Sequence, residues 1–154
     1  MKRIVSALLA LTVLAALVIL ATTSKHTVSA VYASSGCSDA TLTGNYAFNY
    51  TGFTTPHSPV TGNEDPVAVV GVFALDGNGN ASISSTLAFQ GAIHPNQTGS
   101  GTYTVNSDCT GSMSFTTGDA AGVTLNTVVI GGGTEIFGID SRPSFTTTFD
   151  AKKQ

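Results

Sequence analysis

The chain has 154 residues, of which only 10% are charged, against roughly 25% in an average soluble domain; its mean hydropathy is +0.24. All nine acidic residues lie beyond residue 34, where only Arg142, Lys152 and Lys153 are basic, so three basic against nine acidic residues give that part a net charge of −6. This excludes a nucleic-acid-binding surface, which needs a basic stripe, and charge-driven binding to anionic lipid. About 120 residues is one domain, with no separate cofactor-binding domain, and no cofactor is expected.

Lys2 and Arg3 precede a run over residues 4–21 that is apolar except for Ser6 and Thr12, and a polar segment follows to Ser29. Val28-Ser29-Ala30 and Val31-Tyr32-Ala33 both offer small or branched residues at the −3 and −1 positions of a cleavage site. Residues 1–33 therefore read as a secretory signal peptide with a short polar segment. An apolar run of about 18 residues is also near the minimum for a membrane span. The competing reading is thus an uncleaved N-terminal anchor carrying an exported domain, which would be the chain's only link to a membrane. Residues 34–154 form the single domain, expected to be secreted, periplasmic or extracellular.

Export makes the cysteine count informative. Cys37 and Cys109 are the only two, and in an oxidising compartment they are expected to pair. No Cys-x-x-Cys and no histidine cluster accompanies them, so no metal site is expected.

Beyond residue 34 no stretch has helical periodicity, and Ser, Thr and Gly, poor helix formers, dominate. Period-2 alternation recurs instead. Tyr46, Phe48 and Tyr50 alternate with Ala47, Asn49 and Thr51. Val67 to Leu75 is apolar on both phases, with the larger residues on one. Ile83, Leu87 and Phe89 alternate with Ser and Thr, as do Tyr103 with Val105 and Met113 with Phe115. Residues 123–130, 134–140 and 145–150 complete eight strands. Turn signals separate them: Asp76-Gly77-Asn78-Gly79-Asn80, Asn106 to Gly111, Gly131-Gly132-Gly133, and Asp140 to Ser144. Residues 54–66 and 91–99 read as two longer loops.

Short connections imply antiparallel neighbours. An eight-strand meander must deal with its edges, and closure removes them. The expected fold is all-β, an antiparallel up-and-down barrel of about eight strands; a two-sheet β-sandwich is the alternative. Tyr46, Phe48, Phe73, Phe89, Tyr103 and Phe115 lie on the inward phase with Phe145 and Phe149. They either fill the lumen or line a small ligand pocket.

Candidate chemistry is sparse. Asp76-x-Asn78-x-Asn80 begins like a calcium loop, but Ala81 replaces the required Gly and Leu87 the required Glu, which leaves a plain hairpin turn. Glu135 points into the barrel if Phe137 and Ile139 do, as a general acid or base with raised pKa; if Ile136 points inward, Glu135 is a solvated charge. His57 and His94 sit beside prolines in the two longer loops and meet only if those loops share one barrel end. No nucleophile elbow, metalloprotease helix, P-loop or dinucleotide fingerprint is present.

Several blocks carry a resemblance: Cys37-Ser38-x-Ala40-Thr41-Leu42-x-Gly44-x-Tyr46, Gly101-Thr102-Tyr103-Thr104-Val105-Asn106-Ser107-Asp108-Cys109-Thr110-Gly111, and Gly132-Gly133-Thr134-Glu135-Ile136. With the terminal Ala151-Lys152-Lys153-Gln154, the chain resembles a family of small secreted, mostly uncharacterised bacterial proteins. The resemblance implies an exported β-barrel-like domain with a Cys37–Cys109 bridge and carries no activity across. At the level of fold the chain is also similar to calycin and allene oxide cyclase-type barrels, an analogy of architecture alone.

The function expected from these readings is non-enzymatic binding of a small apolar ligand or a cell-surface partner. One alternative is a lumen enzyme of isomerase or cyclase type using Glu135 with Tyr46 or Tyr103. The other is a structural or adhesive envelope protein.

Overall fold

A computed structural model describes residues 36–55 and 64–154. The leader expected over residues 1–33, and His57, lie outside the described residues. A 3-10 turn, Asp39–Thr41, precedes eight strands: β1 (Thr43–Thr54), β2 (Asp65–Asp76), β3 (Asn80–Phe89), β4 (Ala92–Val105), β5 (Thr110–Gly118), β6 (Thr124–Ile130), β7 (Glu135–Asp140) and β8 (Phe145–Lys153). Each strand pairs antiparallel with the next, and β1 also pairs with β8, from Tyr46 opposite Lys153 to Thr54 opposite Phe145. The barrel is closed, and the sandwich alternative falls with that pairing.

Alternation decides which face is which. Along β1 the side chains of Tyr46, Phe48 and Tyr50 are buried while Ala47, Asn49 and Thr51 are exposed. The same phase continues through Phe73 and Leu75, Tyr103 and Val105, Met113 and Phe115, Leu125 and Val129, and Phe149 and Ala151, all buried. Ser, Thr and Asn take most outward positions. This inward-apolar, outward-polar order is the inverse of a membrane-spanning barrel. Among the described residues no helix is long and apolar enough to cross a membrane.

Inward glycines make room for the aromatic rings. Phe48 stands opposite Gly71, Phe115 opposite Gly101, and Phe149 opposite Gly138. At Gly138 a methyl group would overlap the Phe149 ring itself. The Phe149 ring therefore lies against bare backbone on the next strand, the cross-strand arrangement that compensates a glycine's lack of side chain. The rings meet at the barrel's waist: Phe48 stacks on Phe73 at 4.1 Å between centroids, with Phe115 and Phe149 at 5.8 and 5.9 Å from Phe73.

One end is sealed. The segment from Cys37 to Leu42 crosses it, pinned by the Cys37–Cys109 disulfide, whose Cα atoms are 5.0 Å apart, and by Leu42, which is wholly buried. Two tyrosines latch it. The Tyr103 hydroxyl accepts the Gly77 N–H at 2.8 Å and donates towards the carbonyls of Leu42 (2.8 Å) and Asp39 (2.9 Å). The Tyr46 hydroxyl donates to the Gly133 carbonyl at 2.6 Å. Asp39 accepts the Val105 N–H at 2.6 Å. The β2–β3, β4–β5 and β6–β7 turns gather at this end.

The second long loop expected, over residues 91–99, is strand. β4 begins at Ala92 and pairs with β3 as far as Phe89 opposite Ala92. Pro95 reads as a strand breaker, but here it sits in a bulge, where Pro95 and Asn96 together face Thr86, and Asn96 takes a φ of 59°.

Candidate functional site

The waist divides the lumen. Below it, towards the sealed end, side chains fill the space. Above it a cavity of about 280 Å³ remains, open among the described residues at the end where β1, β3, β5 and β7 finish. Its base is Phe48, Phe73 and Phe115; its walls are Val67, Val69, Ile83, Leu87 and Phe89 on one side and Ala120, Val123, Leu125 and Phe145 on the other.

Of the six aromatic candidates, Phe48, Phe73, Phe89 and Phe115 line this cavity. Tyr46 and Tyr103 do not: both are latches of the sealed end. Burial raises the pKa of both tyrosines, so they remain neutral donors. Their in-phase position alone could not separate base from floor, because the division depends on where the N-terminal segment crosses.

Glu135 lies outside. Ile136 is wholly buried, so its neighbours face solvent; Glu135 pairs with Lys152 at 3.2 Å on the outer surface. The lumen-enzyme alternative loses its carboxylate. Phe137, Ile139, Val128 and Ile130 share that outer face as an exposed apolar strip on β6 and β7. His94 is exposed on β4 opposite Leu87. Asp76 closes its own turn: one carboxylate oxygen accepts the N–H groups of Asn78 and Asn80 at 2.7 and 3.0 Å, the other the Asn80 side chain at 2.6 Å. Those bonds hold its carboxyl below the usual range.

A polar cluster at the rim of the cavity comes from residues read only as strand and turn. The Asp140 side chain is fully buried. It accepts Arg142 Nε at 3.0 and 3.2 Å, Arg142 Nη2 at 2.6 Å, the Arg142 N–H at 2.9 Å and the Tyr50 hydroxyl at 2.8 Å. Burial alone would raise the Asp140 carboxyl; the hydrogen bonds from Arg142 and Tyr50 outweigh it and hold the carboxyl below its ordinary value. Burial, reinforced by Asp140, pushes the Tyr50 hydroxyl up to about 12. The Arg142 guanidinium also lies over the Phe145 ring at 3.8 Å, and Tyr50, Arg142 and Phe145 all line the cavity. Thr147, buried beside this cluster, sets its hydroxyl against that of Tyr50. The signal for the cluster was the phase of β7: Ile136, Gly138 and Asp140 share one face.

Together the fold and the cavity define a class, a closed eight-stranded up-and-down barrel with a blind apolar pocket. No protein-family profile, curated protein or solved structure matches the chain.

Proposed function

We propose that the barrel is an exported, non-enzymatic binding protein that holds a small, neutral, largely apolar molecule in the open half of its lumen. The observation that carries this reading is the asymmetry of the interior. Eight inward strands supply enough aromatic side chains to fill the waist, yet the space above it is left hollow and apolar. Pockets that bind small molecules are built this way, apolar walls with a few placed polar groups. At about 30 Å³ per water molecule, the cavity has room for about nine waters, or an organic molecule of about ten non-hydrogen atoms. The disulfide and the polar outer surface support an extracellular or periplasmic setting.

The test is saturable binding of ethylbenzene, followed by ligand-observed NMR. Wild-type protein is expected to bind it, and Ala120→Phe, which places a ring in the cavity, to lose at least about tenfold in affinity while unfolding as a unit like the wild type. Absence of saturable binding to the wild type would overturn the reading.

A further inference from the structure

The polar cluster at the rim is more than a structural ion pair. Asp140 engages only Nε and one N–H of Nη2 of Arg142. A guanidinium has five N–H donors; two go to Asp140 and a third faces the Tyr50 hydroxyl oxygen, which leaves at least two without an acceptor among the described residues. Arg142 lines the cavity with its side chain 26% exposed, while its carboxylate partner is fully buried behind it. The proton of Tyr50 goes to Asp140. What the cluster has left to offer a bound molecule is therefore predominantly hydrogen-bond donors.

Its charge limits what they can receive. Asp140 already neutralises Arg142, and the other charged residue lining the cavity is Asp119, whose carboxylate accepts the Thr98 N–H at 3.0 Å. A second carboxylate brought beside Arg142 would face Asp140 without a second cation to balance it. A neutral acceptor meets no such repulsion.

We infer that the Tyr50–Asp140–Arg142 cluster selects the ligand's polar end: the pocket takes a neutral molecule with an apolar body and a carbonyl-type oxygen, which accepts hydrogen bonds from Arg142. This inference rests on the pocket reading above and deepens it. Asp140 and Tyr50 are positioning residues. They hold the guanidinium, stacked on Phe145, at the rim of the cavity.

Three probes of similar shape separate the outcomes: ethylbenzene, acetophenone and benzoate. Water solvates the ketone better than the hydrocarbon, so without a hydrogen bond in the pocket acetophenone must bind more weakly. The expectation is that it binds at least as tightly as ethylbenzene, with benzoate weakest. The carbonyl stretch of bound acetophenone should shift to lower frequency in the infrared. In the double variant D140L/R142M, which replaces both charges by apolar groups of similar volume, acetophenone should lose about tenfold. The deciding quantity is the acetophenone-to-ethylbenzene affinity ratio, which should fall about tenfold in the variant. Should the double variant fail to fold, the infrared shift on wild-type protein decides. Ethylbenzene binding with a much weaker acetophenone, or with an unshifted carbonyl, overturns this inference and leaves the pocket reading intact. Tightest binding by benzoate also overturns it, in favour of an anion site. Failure of all three to bind removes the inference and the pocket reading together.

Discussion

Asp140 shows how much one residue can organise. Its buried carboxylate gathers Arg142, the turn that follows β7, and Tyr50 from the far side of the β8 strand. Removing one partner of such a pair leaves the other desolvated and alone, typically a cost of 3–5 kcal/mol. Arg142→Ala should therefore lower stability by about 3 kcal/mol, read as a shift of the urea midpoint. Protonation acts in the same place. The Asp140 carboxyl is held below its ordinary value, so its contribution is complete above the unfolded carboxylate pKa and fades as the pH falls through the lower folded value. Tyr50 gives the opposite limb. Its hydroxyl is pushed from 10 to about 12, which favours the protonated form in the folded state. Its contribution is complete below pH 10 and is lost as the pH rises from 10 to about 12, on the order of 3 kcal/mol. Denaturant midpoints across that range should fall for the wild type and fall less steeply for Tyr50→Phe. A Tyr50→Phe profile as steep as the wild type's would contradict the assignment.

Among the elements, the eight strands were legible because most alternate and Gly, Asn or Asp sit at the turns between them. Two features were not. On β7 both phases are apolar, Ile136 on one and Phe137 and Ile139 on the other, and hydrophobicity cannot choose between them. Packing does: only the Ile136 phase brings Gly138 under the Phe149 ring, and that choice sends Glu135 outward and Asp140 inward. On β4 the proline masked a strand, since a bulge that absorbs Pro95 is set by the partner strand and not by local preference. The glycine–ring pairs yield a direct prediction. Gly138→Ala puts a methyl into the space of the Phe149 ring and should destabilise by about 1–3 kcal/mol. Asn126 on the other side of the glycine offers its backbone carbonyl, so the added methyl has no easy retreat. Gly132→Ala, at a turn glycine with open space around it and a φ of 66°, should cost only about 1 kcal/mol, from backbone strain alone. Thermal unfolding of the two variants measures the difference.

At the scale of the whole molecule, closure depends on pieces far apart in sequence. β1 meets β8, and the sealed end needs Cys37 joined to Cys109 across 72 positions. A loop of that size gives about 4 kcal/mol in the chain-entropy view. Reduction should lower the urea midpoint by an amount equivalent to about that figure, and Cys37→Ser/Cys109→Ser should reproduce the effect without reductant. The pair was legible from the cysteine count in a chain whose N-terminal run reads as an export signal. The hollow above the waist was not, because alternation tells which side chains point inward but not whether their volumes suffice to meet. Phe89 and Phe145 were placed with the lumen aromatics, yet both line the cavity wall and remain partly exposed instead of joining the ring cluster.

The sealed floor also governs traffic. A barrel open at both ends passes its contents along; among the described residues, this one, stoppered by the segment from Cys37 to Leu42, opens at one end, so whatever enters there leaves the way it came. Arrival and departure then share one transition state at the rim, so a change at Arg142 or Phe145 that alters only that barrier should change the rates of entry and exit by the same factor, read by exchange NMR.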